Sequence, residues 1–213
     1  MKKIAILASG EGTNAERIIR YFAAHPTVKV VVVITNKAEA GVIRRAENLG
    51  IPVEFLPASA FKEGKATDVL RHYETDFVVL AGFLLRIPDD MLAEYPNRIV
   101  NIHPSLLPKF GGKGMYGSRV HEAVLEAKEQ ESGITIHYIN EHYDEGAIIL
   151  QAKCPVIEGD TPDTLANRVH QLEYEHYPAV IERLLSEKEN AQAFGTKRLG
   201  VFTQTPKRSL RRG

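Results

Sequence analysis

The chain has 213 residues, 44% of them hydrophobic, with 27 basic residues against 27 acidic ones and a single cysteine. That length favours one domain with a real core, and the charge balance gives no general argument for a nucleic-acid or membrane partner. The lone Cys154 excludes an internal disulfide framework and fits a reducing compartment. Met1-Lys2-Lys3 leads into only a short apolar run before Ser9-Gly10, and no apolar stretch approaches the length of a membrane span. Neither a signal peptide nor a transmembrane helix is expected, and a cytoplasmic protein is. Charge is uneven along the chain. Residues 191–213 carry Lys197, Arg198, Lys207, Arg208, Arg211 and Arg212 and no acidic residue, so 1–190 holds the acidic surplus. The expected organisation is a single domain over 1–190 with a basic C-terminal tail over 191–213. That tail reads as loose and solvated, with steering of anionic ligands or contact with RNA as the other reading.

Taken in chain order, short apolar runs alternate with helical patterns through the first hundred residues. The runs are Ile4–Ala8, Val28–Thr35, Val53–Phe55, Phe77–Ala81 and Ile99–Ile102. Val30-Val31-Val32-Val33-Ile34 is β-branched and apolar on both faces, as a buried parallel strand should be. Between the first two runs, Ala15, Ile18, Ile19 and Phe22 fall on one helical face, and Thr13 with Glu16 has the spacing of a capping box. A second helix near Val42–Leu49 should stop at Gly50. After residue 130 the pattern changes. Ile134-Thr135-Ile136-His137-Tyr138 alternates strictly, which predicts a half-exposed strand. The short polar turn Asn140–Gly146 joins it to a second strand over Ala147–Val156, so the two should be antiparallel. A long helix follows, with Thr161 as N-cap, Pro162 at its first position and a buried stripe of Leu165, Val169, Leu172 and Val180. Pro178 should bend or split it. The expected fold is α/β and doubly wound: a mostly parallel sheet with helices on both faces and antiparallel strands in the C-terminal half.

Two segments carry chemistry. Ser9-Gly10-Glu11-Gly12-Thr13-Asn14 lies between a strand and a helix, where glycines permit close backbone approach and a helix N-terminus attracts an anion. A phosphate site and a ligand-free tight turn are both open readings. Gly10-x-Gly12-x-x-Ala15 also resembles a dinucleotide fingerprint, but Thr35-Asn36-Lys37 stands where that reading expects an acid. The second segment, Asn101-Ile102-His103-Pro104-Ser105-Leu106-Leu107-Pro108, follows the fifth strand, at the carboxyl ends where open α/β sheets hold ligands. Asn101 and His103 share a face of an extended chain. An amide donor suits an oxyanion and an imidazole moves a proton, as acyl-type transfer needs. A satisfied core histidine is the competing reading. No metal is expected: His103, His137, His142 and Asp144 lack zinc spacing, and Cys154 stands alone.

The eight-residue string resembles the catalytic segment of the folate-dependent formyltransferase superfamily, and within it the phosphoribosylglycinamide formyltransferase family. The resemblance runs from Ile4 to about Leu185. It implies transfer of a formyl group from 10-formyltetrahydrofolate to the amine of glycinamide ribonucleotide, in purine synthesis. By the same resemblance Asn101, His103 and Asp144 are catalytic, with His137 close to the site, and Gly12, Thr13 and Asn14 hold the substrate phosphate. Arg168-Val169-x-x-x-Glu173 matches the helix whose acid holds the ribose hydroxyls, so Glu173 takes that role. Leu84, Leu85, Arg86 and Ile87 look like the folate wall. Asn101, Asn140, Glu141, His142 and Tyr143 join them as folate contacts. An Asp144 carboxylate near His103 would favour the charged imidazolium; without the resemblance Asp144 reads as a turn former. Two features depart from the family pattern. Phe110–Gly117 lengthens the segment after Leu-Leu-Pro, and the stretch before Arg86 carries one extra residue.

Three rivals are weighed. A methionyl-tRNA formyltransferase needs a C-terminal RNA-binding domain, and about thirty residues after the last long helix are too few. A formyltetrahydrofolate hydrolase resembles this core with an added N-terminal regulatory domain. A nucleotide-binding oxidoreductase lacks its acid after the second strand. The expected partners are two small molecules, acting on a monomer or homodimer.

Overall fold

The computed structural model describes residues 1–194, with side chains through residue 186. The element order is β1 (Lys2–Leu7), α1 (Thr13–Phe22), β2 (Val28–Thr35), α2 (Gly41–Glu47), β3 (Val53–Phe55), α3 (Ala58–Lys62), α4 (Lys65–His72), β4 (Phe77–Leu80), α5 (Asp89–Glu94), β5 (Ile99–His103), α6 (Ser118–Glu126), β6 (Glu131–Tyr138), β7 (Ile148–Pro155) and α7 (Pro162–Phe194). The strands make one sheet in the order β3-β2-β1-β4-β5-β6-β7. Pairing is parallel from β3 through β5 and antiparallel at β5–β6 and β6–β7. The direction of winding reverses between β1 and β4, which opens a crevice at their carboxyl ends. Ser9–Asn14 leaves β1 and Ala81–Ile87 leaves β4 on its two sides.

Side-chain alternation builds a core on each face. Ile4 and Ile6 of β1 join Ala15, Ile18 and Phe22 of α1 and Leu165, Val169 and Tyr177 of α7 in one cluster. Ala5 and Leu7 join Phe61, Leu70 and Met91 from α3, α4 and α5 in the other. Along β2 the parity flips: Val28 and Val30 face the first cluster, Val32 and Ile34 the second. The cause is a register shift opposite Ile4/Ala5, where the added residue turns the next side chains over. The continuous apolar run at Val30–Ile34 therefore serves two cores. The sheet ends in a three-residue β3 on one side and in β7 on the other. Strand β7 closes on Pro155, and its Lys153 pairs with Glu131 at 2.8 Å.

Four expectations need correction or completion. The Thr13–Glu16 capping box does not form: Gly12 is the N-cap, in the left-handed region at φ 76°, and no side chain caps it. Glu16 instead reaches Arg20 at 2.8 Å and Arg45 at 2.5 Å, because two guanidinium groups outbid one backbone amide for its carboxylate. Strand β6 is not half-exposed; residues 132–137 are all buried. Its apolar residues Ile134 and Ile136 enter the core, while Thr135 and His137 are polar residues consumed by internal hydrogen bonds rather than by water. Pro178 lies inside α7 without splitting it. One lost backbone bond is offset by burial of Tyr177, Val180, Ile181 and Leu184 around it. The helix continues through Phe194, beyond residue 190; residues 195–213 of the basic tail lie outside the described residues. Gly50 does follow α2 as a terminator, at φ 71°. Among the described residues, no helix is long and apolar enough to cross a membrane.

Tyr177 ties α7 to the sheet: its hydroxyl donates toward Leu80 O of β4 at 2.9 Å and Val100 O of β5 at 3.2 Å. Strands β6 and β7 approach so closely at Gly133 that a Cβ there would lie 2.0 Å from Ala152 O and 2.9 Å from Leu106 Cδ2. Relief requires moving backbone, so Gly133→Ala should destabilise the protein by about 1–3 kcal/mol. Urea unfolding measures it, and a loss below about 0.5 kcal/mol would show that the hairpin yields freely.

Candidate active site

The Asn101–Pro108 string is positioned by β5 and held from behind by β6. Antiparallel pairing sets Asn101 opposite His137 and His103 opposite Thr135. The Thr135 hydroxyl donates to Ser105 O at 2.7 Å and accepts from Leu107 N at 3.0 Å. Gln151 of β7 donates to Leu107 O and to Thr135 Oγ1, each at 2.9 Å. Two polar side chains from the hairpin thus fix the turn after His103, which is why a buried strand carries them. Two further joints sit at the crevice. Ser9 Oγ donates to Asn36 Oδ1 at 2.6 Å and accepts from Leu84 N at 3.0 Å. It thereby joins the ends of β1 and β2 to the segment after β4.

A carboxylate lies at the centre. Asp144, in the left-handed region at φ 57°, places Oδ2 3.6 Å from His103 Nδ1 and Oδ1 3.6 Å from His137 Nε2. Both separations are longer than hydrogen bonds. Gly112 N approaches closer, donating to Oδ2 at 2.8 Å. His103 Nε2 donates to Phe110 O at 2.7 Å. His137 Nδ1 lies 2.9 Å from Tyr138 O, and its Nε2 lies 3.3 Å from Asn101 Nδ2. Tyr138 O can only accept, so Nδ1 carries the proton and neutral Nε2 accepts from the Asn101 amide. Burial lowers the pKa of His137, which favours this neutral form over the charged one that Asp144 alone would induce. One amide hydrogen of Asn101 is thereby fixed and the other is free for a ligand.

These residues open on a cavity of about 890 Å³, within the size range of ligand pockets. Its wall includes Gly12, Thr13 and Asn14 at the start of α1, Leu84–Ile87 after β4, Asn140–Asp144 between β6 and β7, and His170 and Glu173 of α7. Leu84 and Tyr143 are 37% and 43% exposed, apolar surface left open at the crevice. Arg86 bonds Asp89 at 2.7 Å and reaches Glu141 O at 3.4 Å, linking the two loops on that side. On the other side Asn14 Nδ2 donates to Glu173 Oε2 at 2.8 Å. Glu173 is 5% exposed, and its burial raises the pKa against the pull of that hydrogen bond.

All the sequence-selected residues except His137 line this cavity, and His137 stands behind Asn101. Sequence reasoning missed Ser9, Thr135 and Gln151 as supports, and His121 and His170 in the wall. The signal for His121 was present: Val120 and Val124 share its helix at a spacing of four and are buried. The glycine loop has a packing reason as well as an anion-binding one. A Cβ on Gly12 would lie 2.5 Å from the Val42 side chain, so the tight turn and the close backbone approach coincide.

Comparison with known proteins places this geometry. Residues 2–181 match the formyl transferase family. The phosphoribosylglycinamide formyltransferase of Bacillus subtilis is 39% identical over 191 residues, covering 87% of this chain and 95% of that protein. The chloroplastic enzyme of that name from Arabidopsis thaliana is 42% identical over 194 residues, covering 88% of this chain; the chain spans 66% of its length, and 62% of the Vigna unguiculata relative. The crystal structure of phosphoribosylglycinamide formyltransferase from Bacillus halodurans superposes with a TM-score of 0.80 at 39% identity, covering 89% of this chain and 98% of that one. With a family match over nearly its whole folded body and a bacterial relative covered almost end to end, the chain belongs to the formyl transferases, in the phosphoribosylglycinamide formyltransferase family.

Proposed function

We propose that the protein moves the formyl group of 10-formyltetrahydrofolate onto the amine of glycinamide ribonucleotide, a step in purine synthesis. The observation that carries this reading is the single cavity that joins three unlike regions. Asn101, His103 and Asp144 stand between a helix N-terminus with a buried acid and a partly exposed apolar wall. Gly12, Thr13 and Asn14 suit the phosphate, Glu173 the ribose hydroxyls, and Leu84–Ile87 with Asn140–Tyr143 the folate. The protein works in the cytoplasm as a monomer or homodimer on these two small molecules, with no metal.

In this mechanism the substrate amine attacks the formyl carbon. A C–N bond forms and the carbonyl electron pair moves to oxygen. The free hydrogen of Asn101 Nδ2 stabilises that oxyanion. His103 already donates Nε2–H to the Phe110 carbonyl. The oxyanion takes the place of that carbonyl as acceptor, so the donor is aligned before substrate arrives. Collapse expels the folate nitrogen, which receives a proton as the new amide loses one. Asp144 stands 3.6 Å from His103 Nδ1, across the ring from the donating Nε2, and positions the imidazole. A Ser-type nucleophile is not required, since the attacking group belongs to the substrate.

The reading is tested by mixing protein, 10-formyltetrahydrofolate and glycinamide ribonucleotide and following deformylated folate. Deformylation that needs the amine is expected; equal rates with water alone would favour the hydrolase. Asp144→Asn keeps size and should keep the fold, while turnover falls by roughly 10² to 10⁴, the worth of a positioned acid–base group. Combining it with His103→Ala should cost little more than either change alone, because the groups act as a unit. Turnover within threefold of wild type in Asp144→Asn would remove the carboxylate from the mechanism.

Glu173 gives a pH test. Its folded-state pKa lies above the ordinary value of 4.5, so the folded protein holds this proton more tightly than the unfolded chain. Stability from this group therefore falls as pH rises through the raised pKa, and the burial cost is full at neutral pH. Glu173→Gln should melt above wild type at pH 7.5, with the gap closing toward pH 4. The same variant should raise KM for the nucleotide tenfold or more and leave KM for folate within threefold. A lower melting point at pH 7.5 would mean that the Asn14 hydrogen bond outweighs burial.

A further inference from the structure

His121 lies in the first turn of α6, where that helix packs on α7. It is 3% exposed and lines the cavity wall, yet among the described residues its Nδ1 has no hydrogen-bond partner. The other buried histidines near the site differ: His103 has Phe110 O, and His137 has Tyr138 O and Asn101. An unmet buried nitrogen costs free energy that an aliphatic side chain of similar size would not. The ring's surroundings indicate which ligand it serves. His103 of β5 and His170 of α7 are the charged or titratable groups close enough to influence it. Three residues beyond His170, Glu173 bonds Asn14 of the glycine loop. The apolar wall instead runs along Leu84–Ile87 and Asn140–Tyr143, joined through Arg86 and Glu141. His121 thus lies within electrostatic reach of both the His103 imidazole and His170, on the helix that also carries Glu173.

We infer that His121 is a binding residue for the phosphorylated amine, meeting polar groups of the nucleotide half of the cavity and making no contact with folate. This rests on reading the cavity as a site for glycinamide ribonucleotide. Burial holds the pKa of the ring down to about 4, so the imidazole meets its ligand neutral, as both donor and acceptor. The site takes a phosphorylated, hydroxyl-rich ligand by hydrogen bonding, while the backbone amides at the start of α1 answer the phosphate charge.

Thermal melting with and without saturating glycinamide ribonucleotide tests this, using wild type, His121→Leu and His121→Asn. Wild type should melt higher with the nucleotide. Free His121→Leu should melt at or above free wild type, because an unmet nitrogen has gone, and should lose most of the nucleotide-induced rise. Its KM for the nucleotide should increase tenfold or more, with KM for 10-formyltetrahydrofolate within threefold. His121→Asn, which keeps a donor and an acceptor, should recover part of the loss. Nucleotide KM within threefold of wild type in His121→Leu overturns the inference, as does a free His121→Leu melting several degrees below wild type, which marks the ring as structural. Should His121→Leu not fold, the ratio of the two KM changes in His121→Asn decides: equal changes overturn the inference. Absence of any nucleotide effect on wild type would instead fell the substrate assignment, and this inference with it.

Discussion

A half-buried carboxylate set between two imidazoles is the interaction around which the cavity end of the molecule is arranged. Asp144 lies 3.6 Å from both His103 and His137 and accepts from Gly112 N. Those partners come from β5, from β6 and from the loop before α6, so one side chain gathers three segments. The local backbone is shaped to allow it. Asp144 itself adopts a left-handed conformation, which short polar residues tolerate better than most. Two residues later a Cβ on Gly146 would fall 1.6 Å from Tyr138 O, so the hairpin closes only because that side chain is missing. Gly111 approaches from the other side, where an added Cβ would meet Leu107 Cδ2 at 2.5 Å and Asp144 Cβ at 3.3 Å. Taking a carboxylate out of water is unfavourable unless charges or dipoles replace the solvent; the Gly112 amide does so in part, and 13% of the Asp144 side chain stays exposed.

The cavity holds groups that a protein selected for stability alone would not keep. Glu173 is buried at the cost of a raised pKa, and it accepts from the Asn14 amide. His121 keeps an unmet nitrogen. Tyr177, one turn beyond Glu173, is the opposite case: wholly buried, but satisfied by the carbonyls of Leu80 and Val100. The same helix therefore supplies a rigid anchor to the sheet and, one turn away, a desolvated polar group lining the cavity. Rigid placement next to uncompensated polarity is what preorganises a site, since bound substrate then supplies the missing partners.

The strands were the most legible part of the sequence. Val28–Thr35, Val53–Phe55 and Ile99 onward fall where apolar runs placed them, since a doubly covered sheet demands apolar residues on both faces. The errors have local causes. Thr13 and Glu16 have capping-box spacing, but the chain enters α1 through a left-handed Gly12, leaving Thr13 inside the helix instead of ahead of it. Strand β6 alternates polar and apolar residues, the usual mark of a wet face; here loop 104–109 takes the place of water, a long-range contact that periodicity does not encode. Asn101 and His103 were legible as a pair because they lie two apart on one strand. The gathering of Asp144 and Glu173 beside them came from family resemblance, since sequence separations of tens of residues carry no geometry by themselves. His170 and His121 went unread because each looks like one more polar residue on an amphipathic helix.

An open sheet always leaves two rows of unsatisfied backbone groups, and this one treats them differently. On one side β3 is only three residues long, too short to template a stable intermolecular ribbon. On the other, β7 is eight residues long, but it ends in Pro155, which has no amide hydrogen to offer, and carries the charged Lys153. Together these blunt edge-to-edge association between molecules. The protection matters most for a parallel sheet, whose distant strand pairings form slowly and leave edges uncovered while the chain folds. The short strand and the proline therefore guard against aggregation during synthesis, a role unrelated to catalysis.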